Sequence, residues 1–334
     1  MARILSRGNP GDREDARLKA LLSWLPVEVV DWRPVTGDAS RRRYFRIRTP
    51  ERSLIAMDAP PPEQPRRFVQ VAELLAAAGV RVPEIHAADF ERGFLLLEDF
   101  GDRTYLAVLT PANADSLYRA ALETLVTLQT RIDPAACRLP PYSEDLLRRE
   151  LALFREWLLE RWLGETVAGD LWDRVVETLL ASALEQPRVC VHRDYHSRNL
   201  MHLPGGPGVL DFQDAVVGPL TYDSVSLLRD CYVSWPGDRV DHWREAHRQA
   251  LARRGLAVAP EQWCDWFDLM GAQRHLKAAG IFARLWLRDG RSGYLGDVPR
   301  TLRYVVAVCA ARPRLRDFAD YLSRRILPQV EARL

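Results

Sequence analysis

Between Val191 and Asp214 the chain reads Val191-His192-Arg193-Asp194-Tyr195-His196-Ser197-Arg198-Asn199 and then, past a glycine-rich turn, Val209-Leu210-Asp211-Phe212-Gln213-Asp214. The first string has the spacing H-R-D-x-x-x-x-N, and Asp211-Phe212 stands where a D-F-G element would follow it. That spacing constrains both chemistry and local fold. An Asp at the tip of a loop can accept a hydroxyl proton, while an Asn five residues on and an Asp on the returning strand can face one divalent cation. The turn Pro204-Gly205-Gly206-Pro207-Gly208 lets the two strands double back. One rival pattern overlaps it: Cys190, His192, Asp194 and His196 alternate, and an extended strand would align them as zinc ligands, leaving Asn199 and Asp211 unexplained.

The surroundings of this β island fall into two parts. The first hundred residues give an amphipathic start (Leu18, Leu21, Leu22, Leu25) stopped by Pro26, then strands at Val29–Val35, Tyr44–Arg48 and Ser53–Met57. A helix is predicted from Arg67 to Ala78 by the spacing of Phe68, Val71, Leu74 and Leu75, ending at Gly79. A hairpin of Val82–Ala87 and Gly93–Glu98 follows. From Tyr105 onward helical patterns dominate, at 111–131, 170–185, 221–233, 239–254, 260–288, 298–311 and 313–330. Ser143, followed by Glu144 and Asp145, starts one further helix with the apolar set Leu147, Leu151, Phe154, Leu158 and Trp162. The expected organisation is α+β in two lobes, 1–100 and 101–334, with the boundary near Glu98 to Arg103.

Composition excludes several classes. A formal charge of +2 argues against electrostatically driven binding to nucleic acid. Five scattered cysteines without Cys-x-x-Cys exclude a disulfide framework or zinc ribbon, and neither a signal-peptide core nor a membrane-spanning apolar run is present. A cytoplasmic protein with no membrane, nucleic-acid or obligate protein partner is expected. Lysine occurs only at Lys19 and Lys277; the rest of the 47 basic residues are Arg.

The string from His192 to Met201, with Leu210 to Asp214, resembles the aminoglycoside phosphotransferase and choline kinase-like group, small-molecule kinases of protein-kinase-like fold. The likeness covers nearly the whole chain. Three further strings are similar to the kinases of that group that phosphorylate the anomeric hydroxyl of N-acetylmuramate and N-acetylglucosamine in cell-wall recycling: Thr36 to Arg46, Ala56 to Pro61, and Leu97 to Asp102. The resemblance implies a two-lobed kinase fold, ATP and Mg²⁺ as cofactors and a small amino-sugar substrate. It makes Asp194 the general base and Asn199 and Asp211 the Mg²⁺ ligands. It makes Gly37, Asp38, Ala39 and Ser40 the turn over the ATP phosphates, and Glu98 and Phe100 part of the adenine-binding hinge. Asp223 would orient the catalytic loop.

One departure stands out. The third strand of such a lobe normally carries a lysine for the α/β-phosphates, paired to a helix Glu, but here that position holds Met57, with Glu73 on the helix. Arg43 or Arg46 is expected to supply the charge instead; a pseudokinase is the alternative. For the acceptor, Tyr195, His196, Arg198 and Gln213 flank the catalytic Asp. Residues 231–334 hold 18 Lys and Arg against 11 Asp and Glu, which disfavours a polycationic acceptor and suits one that is neutral or carries a carboxylate. Arg274, Lys277 and Arg284 lie within roughly 80° on a helical wheel, either as a solvated stripe or facing the acceptor. His275, Trp263, Trp266 and Trp286 are open to core packing or sugar stacking.

Overall fold

The computed structural model describes residues 10–35 and 41–334. The chain divides into two compact units, one of residues 1–73 and 82–101, the other of 74–81 and 102–334.

The first unit is a helix on a five-stranded antiparallel sheet. Helix α1 (Pro10–Trp24) leads into β1 (Asp31–Val35), β2 (Arg43–Arg48) and β3 (Ser53–Asp58). Helix α2 (Pro65–Ala77) follows, its residues from Leu74 on counted with the second unit, then β4 (Ile85–Asp89) and β5 (Phe94–Glu98), with strand order β1-β2-β3-β5-β4. Strand parity sorts the side chains. Phe45 and Ile47 of β2 share a face with Leu54 and Ala56 of β3, and Leu21 and Leu25 close that face into a core. Tyr44, Arg46, Ile55 and Met57 belong to the opposite face. The turn into β5 requires Gly93: its φ is +79°, and a Cβ there would sit 2.3 Å from the Ala59 carbonyl oxygen.

The second unit is helical around two small β ribbons. Its helices are α3 (Tyr105–Val108), α4 (Ala114–Arg131), α5 (Glu144–Leu153), α6 (Gly169–Glu185), α7 (Tyr222–Leu228), α8 (Gly237–Ala252), the 30-residue α9 (Pro260–Asp289) and α10 (Val298–Ala310), followed by shorter turns to Glu331. Ser143 caps α5 as expected, its side chain accepting from Leu146 N. Beyond α5 the winding changes to a π-helix over Phe154–Leu163. The wider turn advances the buried face by one residue, so Leu163 is buried where the 3.6 period had placed Trp162. Strand β6 (Arg188–Val191) pairs with β9 (Val216–Pro219), and β7 (Leu200–Leu203) with β8 (Gly206–Val209). Strand β9 lies beyond the strings quoted from the sequence, which end at Asp214. Helix α7 stops at Leu228, five residues short of expectation, because Asp230 turns its carboxylate back to accept from Ser197 N and Tyr232 N.

Helix α9 runs through the middle of this unit. At Gly280 its backbone presses on the end of α5: a Cβ there would lie 2.4 Å from Leu153 C and 2.5 Å from Phe154 N. Only glycine permits that approach, and it brings side chains one turn away on α9 against α5. No described helix is long and apolar enough to cross a membrane.

Candidate active site

The chain between β6 and β7 is fixed at both ends and at its middle. Asp223 at the start of α7 accepts from His192 N (2.7 Å) and Arg193 N (3.0 Å), which is the orienting role expected of it. His192 Nε2 donates to Leu210 O at 3.0 Å and its Nδ1 accepts from Asp194 N at 3.2 Å. That pair of bonds requires the neutral ring, and burial lowers the His192 pKa accordingly. These bonds also dispose of the zinc pattern, since β6 ends at Val191 and the chain does not run extended through His196. Arg193 is held at φ +78° and Asp211 at +61°, left-handed conformations unusual for either residue.

This framework brings Asp194, Asn199 and Asp211 together. Asn199 Nδ2 donates to Asp194 O at 3.0 Å, and Asn199 O accepts from Leu210 N at 2.9 Å, one residue before Asp211. The Asn199 amide nitrogen is thus used internally, which leaves its oxygen to face a cation. One carboxylate and one amide oxygen form an all-oxygen pair that suits Mg²⁺, a cation that keeps several waters and takes the rest of its ligands from phosphate. Gln213 Nε2 bonds the Asp211 carboxylate at 2.9 Å, so Gln213 steadies a metal-ligand candidate.

Behind Asp194 lies a buried ionic cluster that sequence reasoning missed. Glu150 of α5 is 4% exposed and bonds Arg193 Nη2 at 2.5 Å, Lys277 Nζ at 3.1 Å and the Tyr142 hydroxyl. Lys277 also donates to the Tyr222 hydroxyl at 3.0 Å. Glu150 could have been found from its place three residues after Leu147 and four before Phe154, on the apolar face of its helix. Arg274 and Lys277 are therefore no solvated stripe, being 5% and 7% exposed, while Arg284 is half-buried. Burial would push the Asp194 carboxyl up. Lys277, then His196, Arg274 and Arg193, outweigh it and hold the pKa at about 2. At neutral pH Asp194 is an anion among cations. Asp223, buried and near that charge, is pushed up to about 6 despite its two N–H donors.

The expectations for Tyr195 and Arg43 need correction. Tyr195 is fully buried and its hydroxyl donates to Ala121 O at 2.8 Å, so it packs under the loop and faces no acceptor. His196 is buried edge-on against Tyr232, and Arg198 lies over the Tyr232 and Tyr294 rings, 4.2 and 5.1 Å from their centroids. Trp263 and Trp266 are core residues bonded to Arg244 O and Glu185, and His275 bonds Arg229 O while stacked on Tyr304. In the first unit, Arg43 shares the α1-covered face with Asp58, to which it bonds at 2.5 Å beside Arg17. Strand parity thus points Arg43 away from Met57. Arg46 does share the Met57 face, and it bonds Asp99 at 2.6 Å. Glu73 is exposed. Glu98 N donates to Glu84 O, and Phe100 follows in a half-buried loop. Gly37, Asp38, Ala39 and Ser40 lie outside the described residues.

A sheet unit and a helical unit that carries Asp194, Asn199 and Asp211 on one loop-and-ribbon frame define a phosphotransferase of protein-kinase-like fold. The chain belongs to the phosphotransferase enzyme family, which it matches over residues 31–265. It is 48% identical to the N-acetylmuramate/N-acetylglucosamine kinase of Pseudomonas aeruginosa, over 95% of this chain and 98% of that one. Among solved structures it resembles a Plasmodium vivax ethanolamine kinase (TM-score 0.64, 11% identity, covering 94% of this chain and 98% of that one). It also resembles LicA in complex with AMP (TM-score 0.62, 13% identity, 90% and 100% covered). At those identities the structural likeness speaks for the fold.

Proposed function

We propose that this protein transfers the γ-phosphoryl group of ATP to the anomeric C1 hydroxyl of N-acetylmuramate and N-acetylglucosamine, giving sugar 1-phosphates for cell-wall recycling in the cytoplasm. The observation that carries the reading is the ionised Asp194 carboxylate set among Lys277, Arg274 and Arg193, in a chain 48% identical to a kinase named for those two sugars.

Asp194 accepts a hydrogen bond from the acceptor hydroxyl and takes its proton as the new P–O bond forms and the bond to ADP breaks. A carboxylate held this low is a weak base, which suits late proton transfer from a comparatively acidic anomeric hydroxyl. Asn199 and Asp211 hold the Mg²⁺, which neutralises phosphate charge when bound. In the 1–100 part, Gly37 to Ser40 cover the phosphates, Glu98 and Phe100 form the adenine hinge, and Arg46 replaces the lysine absent at Met57. The 101–334 part supplies the catalytic loop, the metal residues and the acceptor pocket, with His196, Arg198, Arg274 and Lys277 around the acceptor. Cations at Lys277 and Arg274 disfavour aminoglycosides and choline, whose positive charges they would repel.

The test is ADP release by the protein with Mg·ATP and each of four acceptors: the two amino sugars, kanamycin and choline. The reading expects turnover with both sugars. Turnover confined to kanamycin or choline overturns the substrate, and no turnover with tight nucleotide binding favours a pseudokinase.

A further inference from the structure

Among the described residues, the Lys and Arg side chains acting on Asp194 differ in one respect: Lys277 and Arg193 have a counter-ion within ion-pair distance and Arg274 has none. Lys277 and Arg193 share Glu150, and Arg229 pairs with Asp268 at 2.7 Å. Arg274, one turn from Lys277 on α9, is 5% exposed. Among the described residues its hydrogen bonding is limited to a 3.7 Å contact from Nη1 to Cys231 Sγ, and its Nε is buried without a partner. The nearby carboxylate of Asp230 is occupied by Ser197 N and Tyr232 N. A guanidinium in this position does not escape by losing its proton. Burial opposes its charge, but Cys231, Tyr222, Asp194 and Asp230 raise its pKa and keep it charged. Burying a guanidinium without a counter-ion is costly, and an incoming anion removes that cost.

We propose that Arg274 is the binding site for a carboxylate on the acceptor, and so the residue that separates an acidic amino sugar from a neutral one. The inference rests on the amino-sugar reading above. N-acetylmuramate carries a carboxylate on an ether side chain; N-acetylglucosamine has none. With the reacting hydroxyl at Asp194, the fork of Arg274 offers paired donors to that carboxylate. The groups acting most strongly on Arg274 belong to α7, the segment after it and Asp194.

The experiment compares kcat/KM for N-acetylmuramate and its near-isosteric, uncharged primary carboxamide in the wild-type protein, in Arg274→Gln and in Arg274→Lys. A charge-assisted bond of this kind corresponds to a preference of about 10- to 100-fold. The acid is expected to exceed the amide by that factor in the wild type. The ratio should fall to about 1 in Arg274→Gln and lie between in Arg274→Lys. Because each ratio is taken within one protein, loss of overall activity cancels, and the wild-type arm needs no folded variant. Equal use of acid and amide by the wild type overturns the inference, as does a preference that survives Arg274→Gln. N-acetylglucosamine serves as the control. If it is phosphorylated while acid and amide are equal, only the role of Arg274 fails; if the wild type uses neither sugar, the amino-sugar reading fails and this inference with it.

Discussion

Lys277 on α9 reaches Glu150 on α5 at 3.1 Å, and the same carboxylate holds Arg193 of the β6–β7 loop at 2.5 Å. One buried anion thus anchors the two cations that flank Asp194. Glu150→Gln should release both, leaving two positive charges without their counter-ion. Breaking a buried pair from one side costs about 3–5 kcal/mol, so the melting temperature should fall well below wild type. Lys277→Met removes the largest attraction acting on Asp194. The Asp194 pKa should rise from about 2, read from the ¹³C titration profile of its carboxyl rather than from activity, whose acid limb lies higher. A profile identical to wild type would detach Lys277 from the Asp194 carboxylate.

Gly280→Ala tests how that pair is brought together. The added methyl would lie 2.4–2.6 Å from backbone atoms of Leu153 and Phe154, which cannot step aside as a flexible side chain can. Helix propensity alone would favour Ala by about 1 kcal/mol. The expected outcome has the opposite sign: a lower melting temperature and reduced kcat as α9 moves off α5. A stabilised, fully active variant would contradict the close packing.

Asp223 sets the expected acid limb. Its folded pKa of about 6 lies above the ordinary carboxylate value near 4, so its charge costs stability fully above pH 6 and not at all below about 4. As pH falls through 6 the fold gains from this group, while the N–H groups of His192 and Arg193 lose their anionic acceptor. Activity should therefore decline near pH 6 with no matching loss of melting temperature. Asp223→Asn should have low activity and a flat profile in this range. An unshifted limb in the variant would assign it elsewhere.

Much of this was readable before any coordinates. Asp194, Asn199 and Asp211 were legible because their chemistry demands fixed types at fixed spacing, strand β2 because one buried face leaves alternation in the sequence, and β5 because it is a continuous buried apolar run. What escaped depends on partners far away in the chain. Glu150 looks like one more charged helix residue until Lys277 and Arg193 converge on it from 127 and 43 residues away. Arg43 and Arg46 looked equivalent, and only the register of β2 against β3 separates their faces. Helix α7 stops early because Asp230 serves the backbone of Ser197, a demand with no local sequence signal. Strand β9 was hidden by Gly218 and Pro219, which read as turn residues but here end a strand paired to β6.

Asp211→Ala should weaken Mg²⁺-dependent nucleotide binding by an order of magnitude or more, with little effect on binding in the presence of EDTA. Calorimetric titration with ADP, with and without Mg²⁺, separates the two. Equal loss under both conditions would point to a collapsed loop, since Asp211 also receives Gln213, rather than to a lost metal ligand.

The central claim is that Asp194 directs phosphoryl transfer to an anomeric hydroxyl. ³¹P NMR of the wild type with Mg·ATP and N-acetylmuramate is expected to show a new sugar 1-phosphate doublet coupled to the anomeric proton. Asp194→Asn should bind nucleotide as tightly but form the product at least about 100-fold more slowly. A phosphate on any other hydroxyl, or near-normal turnover by Asp194→Asn, would contradict the account.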